Sequence, residues 1–219
     1  MIPRTAKLHS MDVRLEPWSD SALDLLRRIN TPQMRQHVGG PEPEEQLLAR
    51  HRRYLAMPAA GRGCMFAVLV GDEMMGSIAY HQRDWQGEQI YETGWNVLPP
   101  YQGRGIASAA GTALITIVRE AARLPDAPHS LHAFPSVENA PSNALCRRLG
   151  FTLLGPCNFE YPPGSGTMMR SNDWHIDLAN TDLPAVTTTQ GVRPGLDRSS
   201  PALELRFGPW FASTGDADE

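Results

Sequence analysis

A glycine-rich turn between a strand and a helix limits the folds open to this chain. The turn is the segment Gln102–Ala107 (QGRGIA), which follows an apolar strand predicted over 89–98 and opens a helix predicted over 105–123. Its two glycines let main-chain N–H groups point toward one place without a Cβ atom in the way. The unpaired N–H groups of the first helical turn add donors there, and the Arg104 guanidinium adds a positive charge. The segment therefore predicts a cradle for a diphosphate.

Two well-known phosphate-binding loops fit the residues of this turn less well. A P-loop needs Lys and then Ser or Thr after its second glycine, and here Ile106 and Ala107 follow. A dinucleotide-binding turn has its first glycine directly after the first strand of a βαβ unit. Here residues 99–102 intervene, and a predicted hairpin precedes the strand. A tight strand-to-helix turn without a ligand remains open as the simplest alternative.

Hydrophobic periodicity predicts the order of the other elements. Alternating or continuous apolar runs indicate strands, and apolar residues at helical spacing indicate amphipathic helices. We expect strands over 11–17, 64–70, 74–81, 89–98, 130–134, 151–161 and 173–178, and helices over about 20–29, 44–57, 105–123 and 139–149. A polar insert is expected over 82–88. The order β-αα-βββ-α-β-α-ββ predicts an α/β fold with a mixed, mostly antiparallel central sheet flanked by helices.

Composition argues against several classes of function. A formal net charge of −4 over 219 residues disfavours a broad nucleic-acid surface. The three cysteines, Cys64, Cys146 and Cys157, have no metal-binding or redox spacing and suit a reducing compartment. The sequence contains no run of about 18 apolar residues and starts without an apolar leader. We therefore expect a cytoplasmic protein without metal, membrane or nucleic-acid partners; the sequence is also compatible with a homodimer.

The composition changes near residue 180, where Thr, Pro, Gly and Ser become frequent. Such a segment buries too little apolar surface to fold by itself. We therefore expect one domain over 11–179 and a C-terminal tail over 180–219 that is partly disordered or packed on the domain.

The residues around the glycine-rich turn resemble the GNAT superfamily of N-acetyltransferases. Gln102–Ala107 matches the acetyl-CoA signature of that family, Arg/Gln-x-x-Gly-x-Gly/Ala, at every constrained position. Tyr91–Pro99 is similar to the family's fourth strand with its Glu-x-Gly-Trp pattern. Asn139–Asn143 (NAPSN), followed by Leu149–Phe151 (LGF), resembles the Asn-x-x-Ser helix and the Gly-Phe strand start of the branch that acetylates ribosomal-protein N-termini. In element order the resemblance covers residues 11–178.

The resemblance implies where acetyl-CoA binds. In the family, strands four and five splay apart and the pantetheine arm lies between them, hydrogen-bonded to main chain that corresponds here to Trp95, Val97 and Leu98. The diphosphate cradle would consist of Gln102, Gly103, Arg104, Gly105, Ile106 and Ala107. Asn139 and Asn143 would bind the same cofactor from one helix face, with Ser142 near the sulfur. Asn139 is equally suited to cap this helix, and it can serve in both roles.

Acetyl transfer to a primary amine requires a neutral nitrogen. At pH 7, deprotonation costs about 4.6 kcal/mol for a lysine-like amine and about 1.1 kcal/mol for an α-amine. Glu92 is the expected base, directly or through water, with His81 and His132 as alternatives. Ser142 would protonate the leaving sulfur, and a main-chain N–H near Val97 would hold the oxyanion. We expect an acetyltransferase that acts on a primary amine, of a small molecule or a protein N-terminus, by direct attack in a ternary complex. The alternative is a non-catalytic acetyl-CoA-binding regulatory module.

The acceptor is expected to bind in the loops over 30–43, 82–88 and 160–172. Four aromatic residues either line an apolar slot there or pack in the core: Trp18, Tyr80, Trp85 and Trp174. The run Arg50–Arg53 is interpreted as a solvated helix face. The sequence lacks the acidic run that would suit a polyamine acceptor.

Overall fold

The chain folds around a seven-stranded sheet with helices on both faces. The computed structural model describes residues 12–161 and 166–179, which all belong to one compact unit. The tail predicted over 180–219 lies outside these residues, as do residues 162–165 of the predicted loop. No helix in the described ranges has the length and apolar character needed to cross a membrane.

The elements follow the predicted order, with one short helix added. The strands are β1 (Val13–Pro17), β2 (Gly63–Val70), β3 (Glu73–Trp85), β4 (Glu88–Val97), β5 (Ser130–Ala133), β6 (Thr152–Glu160) and β7 (Met168–Asp177). The helices are α1 (Leu23–Ile29), α2 (Pro32–Arg35), α3 (Glu44–Ala56), α4 (Ile106–Ala121) and α5 (Ala140–Arg148). Single 3-10 turns lie at Asp20–Ala22 and Pro99–Tyr101.

The strands pair in the order β1-β2-β3-β4-β5-β7-β6. All neighbours are antiparallel except β4 and β5, which pair in parallel over only Tyr91–Thr93 and Leu131–Ala133. The chain reaches β5 from β4 through α4, the crossover connection that a parallel pair requires. The predicted α/β fold with a mixed, mostly antiparallel sheet is confirmed.

Each face of the sheet carries its own core. On one face, α1 and α3 bury Leu25, Leu47 and their neighbours against β2 and β3. On the other face lie α4 and α5, and α4 buries Ile106, Ala110, Leu114 and Val118 at four-residue spacing. This spacing aligns the four side chains along one side of the helix, which faces the sheet. The small side chain of Ala110 allows the helix to approach the sheet closely.

Three local predictions were wrong. The polar insert expected over 82–88 is mostly strand, because β3 continues to Trp85 and a tight turn at Gln86-Gly87 leads directly into β4. Both turn residues have positive φ, 53° and 88°, as in the two-residue hairpins that match the twist of a sheet. β7 begins at Met168 rather than 173. The helix α2, whose start is capped by the Thr31 hydroxyl, lies where only a loop was expected.

Candidate functional site

A gap opens in the middle of the sheet where β4 and β5 separate. Their pairing ends at Thr93 and Ala133, whereas β4 continues to Val97 along β3. The Leu98 N–H donates to the Met75 carbonyl at 2.8 Å, which fixes the alternation of hydrogen bonds along this antiparallel pair. It follows that the main-chain groups of Trp95 and Val97 point away from β3 and into the gap.

The glycine-rich turn forms an open cradle at the start of α4. Gly103 and Gly105 have φ values of 73° and 84°, a conformation that residues with a Cβ atom rarely adopt. A Cβ atom built on either glycine meets nothing within 4 Å, so open space lies above both. Gly105 is the N-cap of a 16-residue helix, and no side chain caps the N–H groups that follow it. The residues present therefore fit an anionic group at the positive end of the helix.

Side chains next to the cradle hold it against the sheet. The Gln102 side-chain amide donates to the Val97 carbonyl at 2.8 Å, which ties the turn to the end of β4. Arg104 is exposed, and its guanidinium carbon lies 5.7 Å from the centre of the Tyr101 ring. Ile106 is buried below the turn and Ala107 is half-buried. The six predicted cradle residues are therefore contiguous in space as well as in sequence.

A cleft of about 730 Å³ lies on the α1 and α3 side of the sheet. Its floor is Glu92–Asn96, the part of β4 that leads from the pairing with β5 into the gap, with Ala133–Ser136 on the opposite side. Asn139 and Ser142 at the start of α5 also line it. The Asn139 side-chain oxygen accepts a hydrogen bond from the Ser142 main-chain N–H at 3.2 Å, so Asn139 caps α5 and also faces the cleft.

Asn143 is buried and has hydrogen-bond partners within the protein. Its amide nitrogen donates to the carbonyls of Ser136 and Asn139 at 2.9 and 2.8 Å. Its oxygen accepts from the side chains of Asn172 and Trp174 at 2.7 and 2.8 Å. These bonds hold the loop after β5 and the start of α5 to β7. The predicted contact of Asn143 with a cofactor stays a prediction, while its observed bonds give it a structural role.

Glu92 lies in the cleft floor between two basic side chains. Its Oε2 atom is 3.0 Å from an Arg83 guanidinium nitrogen and 3.3 Å from His81 Nε2. His81, Glu92 and His132 are paired in register on β3, β4 and β5, so their side chains share one face of the sheet. Glu92 is 13% exposed, which leaves its carboxylate within reach of a ligand in the cleft.

His132 is buried and bonded to a carboxylate. His132 Nδ1 lies 2.7 Å from Asp173 Oδ1, and both side chains are 7% exposed. The other Asp173 oxygen accepts a hydrogen bond from the Trp85 indole at 2.9 Å. His175 packs edge-on against His132, and burial, together with the nearby His132, lowers the pKa of His175. Of the two alternative bases, His81 therefore lines the cleft, whereas His132 belongs to a buried network beside it.

Comparison with known domain families identifies this arrangement. The sequence profile of the acetyltransferase (GNAT) domain matches residues 12–152, which is more than half of the chain. The chain belongs to the GNAT acetyltransferase family. The resemblance inferred from the sequence is thereby confirmed, and so is the expected enzyme class. No curated protein sequence matches the chain significantly.

Solved structures share the fold of this GNAT domain at low sequence identity. An acetyltransferase from Salmonella typhimurium that modifies the N-terminal serine of ribosomal protein L7/L12 is 20% identical, with a TM-score of 0.61 over 77% of this chain and 96% of its own. RimL, a ribosomal L7/L12 α-N-protein acetyltransferase in complex with coenzyme A, is 19% identical, with a TM-score of 0.62 over 78% and 96%. MccE, a microcin C7 self-immunity acetyltransferase in complex with acetyl-CoA and AMP, is 16% identical, with a TM-score of 0.61 over 75% and 92%.

The aromatic residues proposed for an acceptor slot serve to pack this GNAT fold. Trp18 is buried and donates to His51 Nδ1 at 3.0 Å, and Trp174 is buried and bonded to Asn143. Tyr80 packs between other aromatic rings, and Trp85 packs against Phe134 and Phe159. Among the described residues, the tryptophan that lines the cleft is Trp95. Of the expected pocket loops, 30–43 contributes most to the lining.

A buried ionic cluster in the cleft wall was not predicted from the sequence. The side chains of Arg35, Glu42 and Arg50 are 5%, 16% and 7% exposed, and each arginine lies 3.0 Å from one oxygen of Glu42. The interpretation of Arg50–Arg53 as a solvated face is therefore wrong for Arg50 and His51, which are both buried. Glu42, in the loop before α3, pairs with Arg50, and Trp18 donates to His51; helical spacing alone reveals neither contact.

Proposed function

We propose that this protein transfers an acetyl group from acetyl-CoA to a primary amine, by direct attack of the amine in a ternary complex. The observation that carries the proposal is the position of the open cradle at Gln102–Ala107 beside the gap that leads past β4 to the cleft. This path would connect a bound diphosphate on one side with an acceptor on the other. The domain assigned to this activity comprises residues 11–179.

The cofactor-binding roles follow the path from the cradle to the cleft. Main-chain N–H groups of Gln102 to Ala107 would bind the diphosphate, with Arg104 free to add a charged contact. The main-chain groups of Trp95 and the N–H of Val97, which face the gap, would bind the pantetheine arm along β4, as strand edges bind extended ligands. The contact predicted for Leu98 does not fit, because its N–H donates to the Met75 carbonyl and its carbonyl accepts from the Tyr101 N–H. Asn139 would reach the same arm from α5 while keeping its capping bond. Asn143 would support this contact by holding the start of α5 in place.

Acetyl-CoA supplies an activated thioester when it is bound, and the chain supplies position and proton transfer. Glu92 is the proposed base, because its carboxylate lines the cleft next to the gap. It would take the proton of the attacking amine directly or through water. A main-chain N–H of β4 that faces the gap, near Val97, would donate to the oxygen on which charge develops. Ser142 would pass a proton to the leaving sulfur.

The non-catalytic alternative receives less support. A module that only binds acetyl-CoA has no use for an acceptor cleft with a carboxylate beside the cofactor path. Here both proposed proton-transfer residues, Glu92 and Ser142, line one cleft. Holding the reactants and the proton-transfer groups close together is the larger contribution to catalysis in a ternary complex. We also propose a cytoplasmic location, because the three cysteines are free, as in a reducing compartment.

A panel of amines incubated with acetyl-CoA tests the proposal, with release of free coenzyme A as the readout and mass spectrometry of the products as confirmation. The panel contains small primary amines, amino acids and peptides with free N-termini. We expect time-dependent acetylation of at least one class, and we expect it to be slower in the Glu92→Gln variant. Binding of acetyl-CoA without turnover on any acceptor would favour the non-catalytic module.

A further inference from the structure

The ionic cluster in the cleft wall contains more positive than negative charge. The Arg35 guanidinium lies 3.0 Å from one oxygen of Glu42, and Arg50 Nε lies 3.0 Å from the other. Arg35 also donates to the carbonyls of Gly40 and Val38, which fixes it to the loop before α3. One carboxylate is thus shared between two guanidinium groups, and the second positive charge has no counterion within the cluster.

Arg50 carries the clearest sign of a missing partner. Its NH2 atom is buried and has no hydrogen-bond partner among the described residues. The close contact of Arg50 Nε with Glu42 is an ion pair without the direction of a hydrogen bond, so neither of these two atoms is satisfied. Buried guanidinium donors are rarely left unpaired in folded proteins. Arg50 is also among the residues that line the cleft, so a ligand in the cleft would lie next to this guanidinium group.

The other charged side chains of the cleft add to its positive charge. Arg53 and Arg62 also line it, whereas the acidic side chains in the described lining are Glu42 and Glu92. Glu92 already faces Arg83 and His81. The cleft is therefore locally positive, although the whole chain has a formal net charge of −4. A positive cleft attracts anions and favours the neutral form of an amine over its ammonium form.

We propose that the acceptor amine also carries an anionic group, a carboxylate or a phosphate, which is bound by Arg50 while the amine lies at Glu92. The assignment rests on the proposed acetyltransferase function and adds the substrate class to it. A guanidinium group suits either anion, since both offer oxygens for paired N–H donors. Polyamines and other purely cationic acceptors are disfavoured by the same positive charge.

Matched amines test this substrate class on the wild-type protein. The series consists of ω-aminoalkyl carboxylates of increasing chain length, the corresponding carboxamides and the corresponding aminoalkyl phosphates. We expect kcat/KM to be at least about tenfold higher for an anionic member than for its carboxamide, the effect of one charge-assisted contact. The carboxylate and phosphate arms show which anion is preferred, and the chain length reports the distance between Arg50 and the reacting nitrogen.

Variants of α3 connect the preference to Arg50. In Arg50→Gln, the ratio of kcat/KM between an anionic amine and its carboxamide should fall to below about threefold, and Arg50→Lys should retain part of it. Arg52→Gln is the matched control, because Arg52 is exposed on the same helix and does not line the cleft. The affinity for coenzyme A, measured by calorimetry, shows whether each variant is folded.

The outcomes separate the inference from the function on which it rests. Acetylation of amines without an anionic preference in the wild type would overturn the inference and leave the acetyltransferase function intact, and this test needs no variant to fold. A preference that survives Arg50→Gln would likewise remove Arg50 as the anion site. If the protein binds coenzyme A but acetylates no amine, the proposed function fails and the inference fails with it.

Discussion

Replacing Gly105 with alanine separates the binding role of the cradle from its role in folding. Gly105 has φ at 84°, where a residue with a Cβ atom costs about 1–2 kcal/mol. The new methyl group meets no atom within 4 Å, so the folded protein should lose only this amount of stability. In the proposed complex the same open space lies next to the diphosphate. We therefore expect the Kd for coenzyme A to rise at least about tenfold, or about 1.4 kcal/mol.

Gly150 provides a matched control for this change. It follows α5, has φ at 85°, and a Cβ atom built on it also meets nothing within 4 Å. Gly150→Ala should therefore lower the free energy of unfolding by the same amount as Gly105→Ala, measured by urea denaturation, and leave the Kd for coenzyme A unchanged. Calorimetric titration of both variants decides the question. Equal affinities in the two variants would refute the assignment of the cradle.

Three further outcomes are expected. Glu92→Gln should slow turnover of a lysine-like amine more than about tenfold at pH 7, and this loss should shrink toward pH 10 as the amine loses its proton in solution. A ratio of wild-type to variant rates that is constant from pH 6 to 10 would exclude Glu92 as the base. Asn143→Ala should lower the free energy of unfolding by about 2–3 kcal/mol, because the buried indole N–H of Trp174 loses its acceptor; a change below about 0.5 kcal/mol in urea denaturation would contradict this. Burial raises the pKa of Cys64 and Cys157 to about 11, so only about 0.1% of each thiol is ionised at pH 8. A thiol reagent should accordingly label the folded protein at least about a hundredfold more slowly than the denatured protein, with rates that increase about tenfold per pH unit.

Local sequence information was sufficient for the element order and for the cradle. The turn at 102–107 depends on neighbouring residues only: glycines that adopt positive φ and a helix whose first N–H groups lack a side-chain cap. The helical spacing of apolar residues in α4 is local as well. Glycine placement and hydrophobic periodicity therefore predict these features without any information on strand pairing.

Register and burial were not predictable in the same way. His81, Glu92 and His132 form one row because a two-residue turn joins β3 to β4 and because the crossover sets where β5 begins. A shift of one residue in the pairing register between β3 and β4 would turn the Glu92 side chain to the other face of the sheet. No residue pattern within β4 specifies this register. The sequence therefore does not predict the ion pair of Glu92 with Arg83, because the polar residues 82–88 indicate a loop.

The burial of Arg50 depended on contacts distant in sequence. A run of arginines in a helix is usually solvated, and the charge pattern of α3 alone supports that interpretation. The structure brings Glu42 and the loop before α3 over the Arg50 side chain, and Glu42 also binds Arg35. The sequence signal in this region was limited to the turn-forming residues Gly39–Pro41, which show that the chain bends but not what it covers.

Calorimetric titration of acetyl-CoA into the folded wild-type protein is the most direct test of the cofactor assignment, on which every proposed role depends. We expect saturable binding of one acetyl-CoA per chain, with coenzyme A as a competitor and with affinity reduced in Gly105→Ala. Absence of heat at millimolar ligand, from protein whose folding is verified by its denaturation curve, would contradict the assignment.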